Sequence, residues 1–278
     1  MLDDPQEKNA TMNETNGNEA SGELHDTQSQ PDERNVRIDK VGVRDVKQPI
    51  RFRDANGVEQ ETVATISMAV DLAKEVKGTH MSRFIEALNA HEGPIDLGHL
   101  GDLLQELRER LGSETAHIEM AFPFFRQKAA PVTGIKSVMD YQVSFNANAI
   151  RDDIDVILSV AASVTTLCPC SKAISENGAH NQRGVVTIQT RSRQPVSVEE
   201  LIEIAESSAS SELYTLLKRH DEKAVTERAY ENPVFVEDLI RNVAIRLNAH
   251  PLVSWYKIEA ENFESIHNHN AYACIEMG

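Results

Sequence analysis

Cysteine is scarce in this chain: Cys168, Cys170 and Cys274 are the only three among 278 residues. So small and odd a number argues against a secreted disulfide framework, which usually takes more cysteines in even number. Reduced thiols in a cytoplasmic protein are the expectation. Long apolar runs are missing too. The longest, Val156 to Cys168, is rich in Ser and Thr and falls short of the about 20 residues that span a bilayer. The opening, MLDDPQEKNA, lacks the apolar segment of a secretory leader. Bases are outnumbered: 28 Lys and Arg face 44 Asp and Glu, a formal net charge of −16. That argues against general nucleic-acid binding, which needs a basic footprint. It leaves room for one small anion in a locally basic site. Neither nucleic acid nor membrane is expected as a partner.

What is present suits a folded core, with 40% apolar and 26% charged residues. Residues 1–35 hold nine acids and two bases with few apolar side chains. Such a stretch cannot offset its ordering entropy, and a disordered acidic tail is expected there. Beyond it, Val36–Phe52 and Glu61–Leu72 read as strands around Asn56-Gly57, a strong hairpin signal. Thr62, Ala64, Ile66, Met68 and Val70 share one parity. Met81, Phe84, Ile85 and Leu88 form one helical stripe. Leu100, Leu103, Leu104, Leu107 and Leu111 form another, with Asp96 as a cap. Strands over His117–Phe125 and Val138–Ala147 follow.

The order then recurs. Asp155–Thr165 and Gly184–Thr190 read as strands. Ser197 with Glu200 reads as a capping box opening a helix. That helix carries Leu201, Ile204, Ala205, Leu213, Leu216 and Leu217, with a break near Ser210. Asn232-Pro233 reads as the start of another, striped by Val236, Leu239, Ile240, Val243 and Leu247. Leu252–Ala260 and Ala271–Glu276 close the chain as strands. The pattern is ββααββ twice, with modules at 36–150 and 151–278. The fold class is α+β: antiparallel sheets with helices on one face.

Reactive residue types are densest at Leu167-Cys168-Pro169-Cys170-Ser171-Lys172 and Gly178-Ala179-His180-Asn181-Gln182-Arg183. A Cys-x-Cys with a His twelve residues after its first Cys is not a standard zinc spacing, and Cys170 could equally pack as a small hydrophobe. His220, Asp221, Glu222 and Glu227 lie in a polar segment read as lying between helices. Cys, His and carboxylate together would suit a divalent transition metal with open positions, though most charges in such a segment are simply solvated. Glu237, read in the second turn of its helix, could accept paired N–H bonds such as guanine offers. Lys77 to Phe84 opens a helix with nearby bases, which is either an anion site or a plain helix start. His267 and His269 are turn residues or acid–base groups. Cys274, Trp255 and Tyr256 read as packed.

These stretches resemble the type IB GTP cyclohydrolases. The likeness is carried by IDKVGVRDVKQPI (38–50), KGTHMSRF (77–84), FPFFRQKAAPVTG (122–134), LCPCSKAIS (167–175), GAHNQR (178–183), LLKRHDEKAVTERAYENPVFVEDLIR (216–241) and ESIHNHNAYA (264–273). The resemblance implies two tandem tunnelling-fold modules whose sheets close into barrels in a homotetramer, with active sites at subunit interfaces. It implies a metal held by Cys168, His180 and Glu222, with manganese first and zinc or iron as alternatives. Glu237 would anchor guanine. The implied reaction takes GTP and water to 7,8-dihydroneopterin triphosphate and formate, with metal-activated water attacking C8. Cys168, His267 and His269 are then the candidates for proton transfer. Arg83, Lys128, Lys172 and Arg183 are candidates for the triphosphate by charge and neighbourhood. Two other readings stay open: a tunnelling-fold nitrile reductase with a nucleophilic Cys and NADPH, and a non-catalytic metal-binding protein.

Overall fold

The computed structural model describes residues 26–278 except 54–56, 91–92, 96 and 152. Asn56 and Asp96 lie outside the described residues, as does the tail up to residue 25. The first half runs β1 (Ile38–Arg53), β2 (Glu59–Leu72), α1 (Met81–Ala90), α2 (Leu97–Leu111), β3 (Thr115–Ala129) and β4 (Lys136–Ile150). The second runs β5 (Asp153–Leu167), α3 (Pro169–Ile174), β6 (Asn181–Ser192), α4 (Val198–Ser208), β7 (Ser211–Glu212), α5 (Arg219–Glu231), α6 (Val236–Asn248), β8 (Val253–Asn262) and β9 (Ala271–Met277).

All the strands join one antiparallel sheet ordered β1-β2-β3-β4-β5-β6-β8-β9, with β7 paired to β5. The expected seam near residue 150 is thus a hairpin turn inside a continuous sheet, with Ile150 opposite Asp153. Strand alternation sends one parity inward: Ala64, Ile66, Met68 and Val70 on β2, and Leu158, Val160, Ala162 and Val164 on β5. Helical stripes cover that face through Phe84, Leu88, Leu104 and Leu107 in one half and Leu201, Leu239, Val243 and Leu247 in the other. No helix among the described residues is long and apolar enough to cross a membrane.

Several expectations need correction. Residues 26–35, placed with the tail by composition, lie along residues 75–80. Asp32 N–H donates to the Glu75 carbonyl, Lys77 N–H to that of Gln30, and the Gln28 amide to that of Thr79. Backbone pairing holds a segment there that has little to bury. Helix α4 stops at Ser208, well before Leu213. The Ser207 and Ser208 hydroxyls bond back to the carbonyls of Glu203 and Ile204, a competition with helix continuation that Ser favours. Ser197 does cap α4, accepting the Glu200 N–H at 3.2 Å. Glu200 itself turns to His250 at 3.0 Å, so the reciprocal half of the capping box is not made. Asn232-Pro233 does not open α6. Asn232 ends α5 and its amide reaches the Ala209 carbonyl, while α6 begins at Val236. Glu237 is therefore in the first turn. Cys274 and Cys170 are exposed. Cys274 shares its parity with exposed Tyr272, on the face without helices.

The polar segment at 219–231 is a helix, not a loop. It buries only Asp221 and Ala229, so it has no apolar stripe to reveal it. Asp221 secures it instead. Its carboxylate accepts the N–H groups of Val132, Thr133 and Lys218 and the Thr133 hydroxyl, at 2.7 to 2.9 Å. Burial alone would raise its pKa, but these donors hold it well below the usual carboxylate range. The depressed pKa means the stabilisation is full above the unfolded value of about 4 and fades as pH falls below it. Asp221→Ala leaves several donors unmatched and is expected to lower Tm by about 5–10 °C. Thermal melts from pH 7 to pH 3 check this, because the gap between wild type and variant should narrow below about pH 4.

Candidate active site

Strand register builds the site. Thr166 and Gln182 are directly paired across β5 and β6. Two residues further on, at the end of β5 and just before β6, stand Cys168 and His180, where the Cys168 N–H donates to the His180 carbonyl at 3.1 Å. Alternation therefore puts Cys168, His180, Thr166 and Gln182 on the same, core-facing side, where the core opens to solvent. Pro169 at the first position of α3 turns the chain away after Cys168. Ser171 ties the corner: its hydroxyl accepts the His180 N–H and donates to the Cys168 carbonyl, both at 3.1 Å.

A cleft of about 280 Å³ opens there, lined by Cys168, His180, Gln182, Val234–Glu237, Asn262, Glu264, His267, His269 and Ala271. His267 lies 6.4 Å from His180 between ring centroids and stacks on His269 at 5.1 Å. Glu237 reaches the cleft from the first turn of α6. Chain positions as distant as 168, 180, 237 and 269 thus meet in one place.

The other candidates lie elsewhere. Glu222 is exposed on α5 and does not line the cleft. Lys128 is committed to Glu206 at 2.7 Å and Glu212 at 2.6 Å, and lies over the Tyr214 ring. A lysine with two carboxylate partners is poorly placed to meet a triphosphate. Lys172 bonds the Tyr230 carbonyl and covers the Tyr230 ring, joining α3 to α5. Arg183 is exposed and has the opposite parity to Gln182 along β6, so it faces away from His180. Arg83 reaches the Arg110 carbonyl at 3.3 Å.

Two cleft residues were not singled out in the sequence. The Glu264 carboxylate lies 3.8 Å from His180 Nδ1. It belongs to the ESIHNHNAYA stretch, where only the histidines drew notice. Asn262 is 2% exposed, yet its Oδ1 has no hydrogen-bond partner among the described residues. It stands opposite Gly184, where a Cβ would come within 2.5 Å of that oxygen. An unmatched buried amide at a cleft costs free energy until a ligand supplies the missing partner. A larger cavity of about 550 Å³ beside α4 is lined by Glu200, Glu203, Glu206 and Glu212, with Arg228 of α5 and Arg246 of α6, and among the described residues no Cys or His lines it.

Fold and site together define an α+β protein of the tunnelling kind. Its fold is like that of a hyperthermostable urate oxidase variant from Bacillus sp. TB-90, with a TM-score of 0.53 at 11% identity over 86% of this chain and 98% of that one. Uricase from Arthrobacter globiformis is similar, with a TM-score of 0.52 at 7% identity over 86% and 92%. The family described as type I GTP cyclohydrolase folE2 matches residues 24–273, and the chain belongs to that family. GTP cyclohydrolase FolE2 of Akkermansia muciniphila is 56% identical over 257 residues, 91% of this chain and 97% of that protein. GTP cyclohydrolase FolE2 of Nitrosococcus oceani is 52% identical over 253 residues, 91% and 95%.

Proposed function

We propose that the chain is a metal-dependent GTP cyclohydrolase of the type IB kind. It would act in the cytoplasm and convert GTP and water to 7,8-dihydroneopterin triphosphate and formate for pterin and folate synthesis. The observation that carries this is the pairing of Cys168 with His180 at the mouth of a cleft that also holds Glu237. Family membership supplies the reaction class.

The donor chemistry fits a divalent transition ion. A thiol and an imidazole are adjacent, carboxylates are near, and among the described residues no Lys or Arg lines the cleft. Cys168 and His180 would hold the ion, manganese first. When bound, it supplies a Lewis acid that brings the pKa of water near neutrality. In this reading the third ligand lies outside the cleft: among the described residues, no three His, Cys, Asp or Glu side chains are grouped to hold a metal. We assign the missing carboxylate, Glu222, to a neighbouring copy. Cations for the triphosphate would come across the same interface. The open sheet edges at β1 and β9, and Val63, Phe125 and Tyr272 exposed on the helix-free face, suit closure into a homotetrameric barrel.

The chain's own residues then have definite tasks. Glu237 accepts N1–H and the exocyclic amine of guanine and orients the ring. Val234, Phe235 and Val236 wall the cleft beside it. His267 and His269 hold and move protons during ring opening and reclosure. The test is to strip the protein of metal, add back manganese or zinc, and look for formate and a fluorescent oxidised pterin. Metal-dependent formate with a pterin triphosphate is expected. A folded protein that yields neither with any metal would sink the reading.

A further inference from the structure

We propose that Gln182 is a positioning residue that fixes the tautomer of His180, with the proton on Nδ1 and Nε2 left bare toward the cleft. This rests on His180 serving as a metal ligand, as proposed above. The starting observation is an oddity of composition. The inward face of β5 and β6 carries Leu158, Val160, Ala162 and Val164 against Val186 and Ile188. Next to the cleft that run gives way to Thr166, 0% exposed, and Gln182, 7% exposed. Packing alone would be served better by two aliphatic side chains, because burying an amide and a hydroxyl is costly unless they are bonded.

They are bonded, and to a purpose. The Gln182 Nε2 donates to Thr166 Oγ1 at 2.9 Å. The Gln182 Oε1 lies 2.9 Å from His180 Nδ1. An amide can be turned end for end, so this pair by itself fits either tautomer. Glu264 breaks the tie. Its Oε2 stands 3.8 Å from the same Nδ1, and both side chains are 13% exposed. An ionised carboxylate only accepts. A bare Nδ1 lone pair facing it would be repelled, whereas an Nδ1–H is attracted to both oxygens. The proton therefore sits on Nδ1, Gln182 presents its oxygen to it, and the lone pair of Nε2 is the one left for an ion. Ligand histidines commonly use their second nitrogen in this way, and loss of the outer partner typically weakens metal binding 10–100-fold.

The first readout needs neither metal nor turnover. Magic-angle-spinning 15N spectra of metal-stripped, 15N-histidine-labelled protein report the His180 tautomer, assigned by its absence from a His180→Asn sample. Wild type is expected to be protonated at Nδ1 with Nε2 bare. Gln182→Leu is expected to lose that preference and to bind manganese about 10–100-fold more weakly. Gln182→Glu, which keeps an acceptor, should restore both, and thermal melts check that all three proteins are folded. A wild-type ring protonated at Nε2, or a folded Gln182→Leu protein that keeps the Nδ1–H form, overturns the proposal. A changed tautomer with unchanged manganese affinity supports the positioning role and instead removes His180 from the metal reading.

Discussion

Cys168→Ala is expected to lose metal and turnover together. In the proposed site the Cys168 sulfur is one of the two ligands that this cleft would contribute. A catalytic ion contributes several kcal/mol of transition-state stabilisation, so its loss should cost about 10³-fold or more in rate. The fold should survive, because Cys168 caps only the short α3, through one Ser171 N–H at 3.4 Å from Sγ. Metal content and single-turnover formate release, measured on the same sample, check the result. Normal metal content in the variant would remove Cys168 from the ligand set. The same variant tests where Glu222 acts. Cys168→Ala and Glu222→Gln proteins, each inactive alone, should regain activity when co-expressed. If association is random and each site takes its carboxylate from one neighbour, about a quarter of the sites are intact. No recovery in mixed oligomers would return the third ligand to the chain's own residues, with Glu264, 3.8 Å from His180 Nδ1, the carboxylate to test next.

Glu237→Gln should do the opposite: keep the metal and lose GTP. In the variant the amide nitrogen meets guanine donors with another donor. Two charge-assisted hydrogen bonds, at about 1.5–3 kcal/mol each, correspond to about 10²–10⁴-fold weaker binding. The effect should fall on GTP affinity, read by equilibrium binding to the metal-loaded protein, and elemental analysis should show an unchanged ion. Glu237 is exposed in the first turn of α6, so the variant forfeits only a favourable charge at a helix N-terminus and should stay folded. Wild-type GTP affinity in this variant would show that another group reads the base.

Much of the scaffold could be read in advance, because burial repeats with the period of each element. The parity of β2, the stripes of α2 and α6, and the Ser197 cap all came from local pattern, whereas in the α1 stripe Phe84 and Leu88 are buried but Met81 is exposed. Cys168, His180, Glu237, His267 and His269 were named from their chemistry and the family likeness, and they meet in one cleft. The failures have a common cause. Helix α5 is held by a buried Asp221 that bonds to a loop about 90 residues away, α3 is a single corner behind Cys168, and residues 26–35 are held by backbone pairing. None of these leaves an apolar periodicity.

The linear chain thus determined the order of strands and helices, the face each one buries and the kinds of group available for chemistry. Those follow from side-chain type and spacing, which are local. Only the tertiary structure decided which charges are free and which are committed. It set Lys128 between Glu206 and Glu212, turned Arg183 away from His180 and left Glu222 outside the cleft of its own chain. It also brought Gln182 and Glu264 to one nitrogen of His180. The physical reason is that such partnerships depend on distances of a few ångströms between residues far apart in sequence, fixed by strand register and helix packing and unmarked by composition.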